Sequence, residues 1–368
     1  MKKFPLILSL ILIISLLAGC AGTPVVYYTN CTCPAGVHED TVVEDVPATI
    51  PSYGETPVLT EGALKTGLAI STSVKKSANA TAEAEGKADY DVTMVAVLVD
   101  DNNVIRGCVI DGIASSVNFD TTGTITTTDL TAPIQTKNEL GENYGMVAWG
   151  GAKAEWDAQA QALADFAVGK TVEELRSGAV AESGYAPEGS DLASQATIYL
   201  GGYVYAIEAA VANAKHLGAQ SGDVLKLATT TKIDSSKAAD AENAGNAQLD
   251  ADVVALTMNG DVITSCYLDS VQAKVAFDAT GAVTSDVSAP VATKNELGEN
   301  YGMVAWGGAV AEWDAQAASF AAYVTGKTAD EVMGINITEA TKPADADLAA
   351  TVTISVIGFM NLIAKAAK

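Results

Sequence analysis

Two hydroxyls in this chain stand six residues after a carboxylate, in Asp191-Leu-Ala-Ser-Gln-Ala-Thr197 and in Asp347-Leu-Ala-Ala-Thr-Val-Thr353. Mostly small residues separate the two groups. An apolar, helix-like segment follows each, with Ile198/Ile354, Gly202/Gly358, Tyr203/Phe359 and Ile207/Ile363 in register. A threonine in front of a helix has two uses. It can cap the free amides of the first turn, or it can carry an anion such as a phosphate ester where those amides and the helix dipole favour negative charge. Spacing alone does not choose between them. Thr351, six residues after Asp345, competes with Thr353 as the second hydroxyl, and the register with Thr197 selects Thr353.

Other chemistries are excluded by composition. The chain has two histidines, His38 and His216, so a His-based triad or a His-rich metal site repeated in each half is excluded. No phosphate-binding P-loop and no G-x-S-x-G elbow is present. The net charge of -24 makes nucleic acid or anionic lipid an unfavourable partner.

The elements around the two threonines are written twice. Residues 136–160, TKNELGENYGMVAWGGAKAEWDAQA, recur at 293–317 with only Lys153 exchanged for Val310. The flanks have diverged, as in GLAISTSVKKS from Gly67 against KLATTTKIDSS from Lys226. The copies start 293 − 136 = 157 residues apart, long enough for a whole domain, which indicates a tandem duplication. Either the residue types of the loop are held fixed by function, or a recent local gene conversion has copied them.

Each copy opens with strand patterns, in the first Leu64 to Val74, Asp91 to Val99 and Val104 to Ile110. Asp100-Asp101-Asn102-Asn103 and Asn259-Gly260 mark hairpin turns. Further hairpins are expected near Gly123 and Gly281. The repeated loop comes next, then a helix on the period Trp156, Ala160, Leu163, Phe166, matched by Trp313, Ala317, Phe320, Tyr323. Capping boxes at Thr171–Glu174 and Thr328–Glu331 start a second helix. A strand-to-helix segment closes each copy. Strands followed by helices indicate α+β: two tandem homologous domains, 61–214 and 215–368, each an antiparallel sheet with packed helices and large enough for an independent core.

The chain begins Met-Lys-Lys, then an apolar run ending Leu17-Ala18-Gly19-Cys20. Residues 1–19 read as a lipoprotein signal peptide, with diacylglycerol attached to Cys20. Residues 20–60, with five prolines and no helical period, read as an extended tether. Cys31 and Cys33 lie in it without an assigned role. Cys108 and Cys266 fall at equivalent strand positions and read as buried free thiols.

The Asp–Thr segments resemble the attachment motif of the FMN-binding domain family, Asp-x-x-Ser/Thr-Gly-Ala-Ser/Thr. The family's Gly is Gln195 in one copy and Thr351 in the other. TKNELG occupies the place of that family's Glu-Thr-Pro-Gly-Leu-Gly-like turn beside the flavin. With the leader and tandem layout, the chain is similar to the flavinylated lipoproteins of Gram-positive extracellular electron transfer. The resemblance implies two covalent FMN groups, esterified to Thr197 and Thr353 by a flavin transferase that uses FAD and Mg²⁺. Asp191 and Asp347 belong to the same motif.

The resemblance also assigns the repeated loop to the flavin: Thr136, Asn138, Glu139, Gly141, Tyr144, Gly145, Met146 and Trp149, with Thr293, Asn295, Glu296, Gly298, Tyr301, Gly302, Met303 and Trp306. Its glycines allow close approach of a flat ring, and its backbone amides and Asn138/Asn295 could bond flavin carbonyls. Tyr144/Tyr301 and Trp149/Trp306 either stack on the ring or are core aromatics; Trp156 and Trp313 read as core. The implied function is electron transfer on the outer face of the cell membrane. Electrons pass from a membrane NADH dehydrogenase and quinone system to ferric iron or soluble flavins, with ferric or flavin reductase activity as a corollary. The alternative is a non-redox surface lipoprotein that binds a small ligand or peptide and whose leader yields a signalling peptide.

Overall fold

The computed structural model describes residues 62–368. The leader, Cys20, Cys31, Cys33 and the tether lie outside the described residues. Among the described residues no helix is long and apolar enough to cross a membrane.

Each copy is a three-stranded antiparallel meander followed by six helices, the α+β arrangement expected. The strands are β1 (Lys65–Ser73), β2 (Gly86–Val99) and β3 (Ile105–Phe119), then β4 (Val224–Lys232), β5 (Gly245–Asn259) and β6 (Val262–Phe277), in sheets ordered β1-β2-β3 and β4-β5-β6. In the first copy the helices are α1 (Lys137–Leu140), α2 (Met146–Gly150), α3 (Trp156–Ala167), α4 (Val172–Ala179), α5 (Asp191–Gln195) and α6 (Gly201–Ala212). In the second they are α7 (Lys294–Leu297), α8 (Met303–Gly307), α9 (Trp313–Val324), α10 (Ala329–Met333), α11 (Ala346–Ala349) and α12 (Ile357–Ala366). Both expected capping boxes form, Thr171 with Glu174 and Thr328 with Glu331.

The second hairpin turns one residue later than Asn259-Gly260 suggests. Asn259 pairs with Val262, so the turn residues are Gly260, at φ +57°, and Asp261. In the first copy Asp100 folds the turn by accepting from the amides of Asn102 and Val104.

Each copy has an outer core of its own between sheet and helices, and the two copies share a third core between their sheets. Along β2, Tyr90, Val92, Met94 and Ala96 join one buried cluster while Val95, Val97 and Val99 join another, as strand alternation requires. The first cluster also takes in Leu249, Ala251, Val253, Ala273, Val275 and Phe277 of the other sheet. The inner faces of the two sheets thus bury one another. The outer face of the first sheet is covered by α3 to α6 and that of the second by α9 to α12. The result is a helix–sheet–sheet–helix stack in which each copy keeps its own sheet–helix core and a further core is held in common. Burial on both faces explains why Val95 to Val99 is an unbroken buried run in an antiparallel strand.

Hydrogen bonds between the copies are reciprocal. The Ala80 amide donates to the Gly281 carbonyl and the Ala239 amide to the Gly123 carbonyl, both at 2.8 Å. Cys108 and Cys266 are free and buried as expected, and burial pushes the Cys108 thiol up to about 12.

Candidate functional site

Thr197 and Thr353 are in neither of the two settings their spacing suggested. α6 is preceded by Leu200 and α12 by Val356 as N-caps, so each threonine lies three residues before the N-cap of its helix. The preceding segment is not a strand either. It is a loop held by one side chain. The Gln159 carbonyl oxygen accepts from the Thr197 amide at 2.7 Å, from its hydroxyl at 3.2 Å and from the Ile198 amide at 3.1 Å. Gln316 does the same for the Thr353 amide at 2.8 Å and hydroxyl at 3.2 Å. Both glutamines are buried, so each carbonyl is a fixed acceptor. Thr351, the competing hydroxyl, bonds instead to the Leu348 carbonyl. The structural equivalence is therefore between Thr197 and Thr353.

The glutamines sit on α3 and α9, the helices that follow the repeated loop, and those helices join loop and threonine into one unit. Glu155, the N-cap residue of α3, receives the amides of Met146 and Val147 on its two carboxylate oxygens at 2.8 and 2.9 Å. Glu312 repeats this with Met303 and Val304. Those amides, offered above as partners for flavin carbonyls, are occupied within the protein. Trp156 is buried, as expected for core, and its indole N–H donates to the Tyr203 hydroxyl.

The start of the loop is an anchor. Thr136 and Glu139 form a capping box on α1, and Thr293 and Glu296 form one on α7. The Asn138 side-chain amide donates to the Ile110 carbonyl and that of Asn295 to the Leu268 carbonyl, both at 2.9 Å. Their nitrogens therefore face the sheet and not a ligand. Asp111 and Asp269 complete the anchor by accepting the Asn138 and Asn295 amides. Burial raises the pKa of both carboxyls against the opposing effect of those bonds, that of Asp269 to about 6. Glu139 also pairs with Lys365 of the other copy, which outweighs partial burial and holds its carboxyl below the usual range.

The aromatic residues divide. Tyr144 and Met146 pack on the outer core of the first copy, and Tyr301 and Met303 on that of the second. Trp149 and Trp306 are not core; they are 90% and 91% exposed. Each lies over the glycine four residues before it. A Cβ at Gly145 would stand 2.1 Å from the Trp149 ring, and one at Gly302 2.4 Å from that of Trp306. Both glycines are also at φ +81°, a region unfavourable to other residues. Gly141 and Gly298 take φ values of +49° and +47° at the ends of α1 and α7.

In the second copy a cleft of about 460 Å³ brings Tyr301 and Met303 together with Trp313, Lys294, Ile354 and Ser355. Its wall thus includes the residue directly after Thr353, and its volume suits a small cofactor. The lining is apolar and aromatic with two cations, Lys232 and Lys294, and one carboxylate, Asp252, a set with room and net positive charge for a flat ring bearing a phosphate. Asp191 and Asp347 are exposed in the first turns of α5 and α11, away from this lining.

Comparison with known proteins supplies no relative: no family model matches the chain, and no curated protein or solved structure matches it.

Proposed function

We propose that the chain is a covalent flavin carrier, bearing FMN as a phosphoester on Thr197 and on Thr353. The supporting observation is the paired hold on these two hydroxyls: the same buried glutamine carbonyl fixes the same backbone and side-chain atoms in both copies. FMN, when bound, supplies reversible electron uptake, and the protein positions it. Gln159 and Gln316 hold each threonine oxygen in place for esterification. The ester replaces only the hydroxyl hydrogen bond, so the bonds from the Thr197, Ile198 and Thr353 amides keep the loop fixed afterwards. Tyr301, Met303 and Trp313 provide an apolar wall, and Lys294 faces the cleft with a cation for the phosphate or ring.

On this reading a flavin transferase loads both threonines from FAD with Mg²⁺, the threonine oxygen losing its proton and displacing AMP as it bonds to the FMN phosphorus. The loaded protein, anchored by lipid on Cys20 at the outer face of the membrane, passes electrons from a quinone-linked NADH dehydrogenase to ferric iron or soluble flavins. Coexpression with a flavin transferase, followed by peptide mass spectrometry, tests it. FMN on the Thr197 and Thr353 peptides is the expected result. Unmodified peptides from a colourless protein would sink it.

One observation favours the second reading, a surface module that binds a small ligand without redox chemistry. Glu155 and Glu312 already occupy the loop amides a flavin would use. A visible flavin spectrum that survives denaturation separates the two.

A further inference from the structure

Lys137 and Lys294 hold the same place in the duplicated block, the first residue of α1 and of α7, and each ammonium lies between two rings. Lys137 Nζ is 5.6 Å from the Tyr144 centroid and 5.0 Å from that of Trp156; Lys294 Nζ is 5.2 Å from Tyr301 and 4.9 Å from Trp313. Their counter-charges differ. Lys137 pairs with Asp91 at 3.3 Å, and Asp91 is shared with Lys76 at 3.6 Å. Among the described residues no carboxylate pairs with Lys294.

The cause lies in two substitutions on the second sheet. Asp250 takes the place of Asp91 in the strand register, opposite Lys232 as Asp91 is opposite Ser73. Gln248 donates to both Asp250 oxygens at 3.0 and 2.8 Å, and Gln272 to one at 2.9 Å. The corresponding residues of the first sheet are Asp89 and Ala114, neither of which can donate a side-chain hydrogen bond to Asp91 as a carboxylate or methyl group. Asp250 is therefore drawn to amides, and Lys294 is left facing the cleft beside Thr353. The other charges on that cleft are Lys232 and Asp252.

Resting on the flavin-carrier reading, we infer that the two attachment sites are electrostatically unequal, and that Lys294 sets the flavin on Thr353 at a higher reduction potential than the one on Thr197. Full reduction to the anionic hydroquinone takes two electrons and one proton, and leaves one more negative charge on the ring. An unpaired ammonium in a half-enclosed cleft stabilises that charge, whereas an ammonium already paired with a carboxylate does so much less.

The test uses the chain loaded by coexpression with the transferase, in single-flavin variants. Thr197→Ala retains only the flavin on Thr353, and Thr353→Ala only the flavin on Thr197. Anaerobic dithionite titration against reference dyes should give the higher midpoint in Thr197→Ala. Adding Lys294→Gln to that variant should lower its midpoint, while Lys294→Arg preserves it. Adding Asp91→Asn to Thr353→Ala, which leaves the Lys137 cation with a neutral partner, should raise the midpoint of that flavin. Equal midpoints in the two parent variants, or a Lys294→Gln midpoint unchanged in a protein that still melts cooperatively, overturn the inference alone. Absence of covalent flavin from both threonines overturns the carrier reading and this inference with it.

Discussion

Phe119 and Phe277 stack face to face across the two copies, with centroids 4.0 Å apart and planes within 1°. Each is the last residue of its outer strand, and each presses on a glycine of the paired strand. A Cβ at Gly86 would stand 2.2 Å from the Phe119 ring, and one at Gly245 2.4 Å from that of Phe277. The pair therefore joins the two sheets directly within the common core.

Removing one ring should be costly for the whole molecule. Phe277→Ala is expected to destabilise it by about 3–5 kcal/mol, the usual range for a buried phenyl group. Denaturant unfolding should show a single transition moved to lower midpoint for both copies. Two transitions, only one of them displaced, would show that the copies fold separately.

A fragment covering residues 62–214 exposes the inner face of the first sheet. It should elute as a dimer or larger species in size-exclusion chromatography. A stable monomer with full native helix content would contradict the shared core.

Gln159→Leu takes away the acceptor for the Thr197 hydroxyl and two amides. The initial rate of flavin attachment at Thr197 should fall at least about tenfold, since an unsatisfied buried group costs roughly 1–3 kcal/mol. Attachment at Thr353 should be unaffected, and Gln316→Leu should give the mirror result. Site-resolved mass spectrometry over a time course reads both. Equal loss at the two sites would point to general unfolding.

Asp269 makes stability depend on pH. Its folded-state pKa of about 6 lies above the unfolded value near 4. The protonated form is thus bound more tightly in the native state, and its contribution is fully present below about pH 4 and lost as pH rises through about 6. Asp269→Asn keeps an acceptor for the Ser270 and Asn295 amides without the buried charge. It should flatten the stability profile between pH 4 and 6 and raise stability at pH 7. A wild-type profile in that window unchanged by the substitution would remove Asp269 as the cause.

Trp149→Ala and Trp306→Ala should leave stability within about 0.5 kcal/mol, as expected for exposed side chains. In the loaded protein each should increase the fluorescence of the flavin in its own copy by removing a stacking quencher. Unchanged flavin emission would place the indoles away from the ring.

The sequence made the elements legible because their signals are local. Strand alternation, the helical period from Trp156 and the capping box at Thr171 each reside in a dozen residues or fewer. The same T-x-x-E signature stands at Thr136–Glu139, but its place in the repeated loop points to a ligand contact as readily as to a cap. Gln159 was missed for a different reason. On the helical wheel it is one polar residue among apolar neighbours, and its function is defined by Thr197, 38 residues further on. The signal was present all the same, since Gln159 and Gln316 lie inside the block that the two copies share. The unbroken apolar run Val95 to Val99 reflects burial on both faces, but nothing local to it says that the second cover is the other copy's sheet. Asp91 and Asp250 look interchangeable in sequence, and only the glutamines around Asp250 separate them.

The exchange of Ala80 with Gly281 and of Ala239 with Gly123 is what a single half would make with an identical twin. One gene copy encoding such a half would yield a self-paired assembly whose two hydroxyl sites must be the same. Joining the halves in one polypeptide frees each to mutate alone while the pairing surface stays matched. The contrast between Lys137 and Lys294 is a difference no assembly of identical subunits can encode.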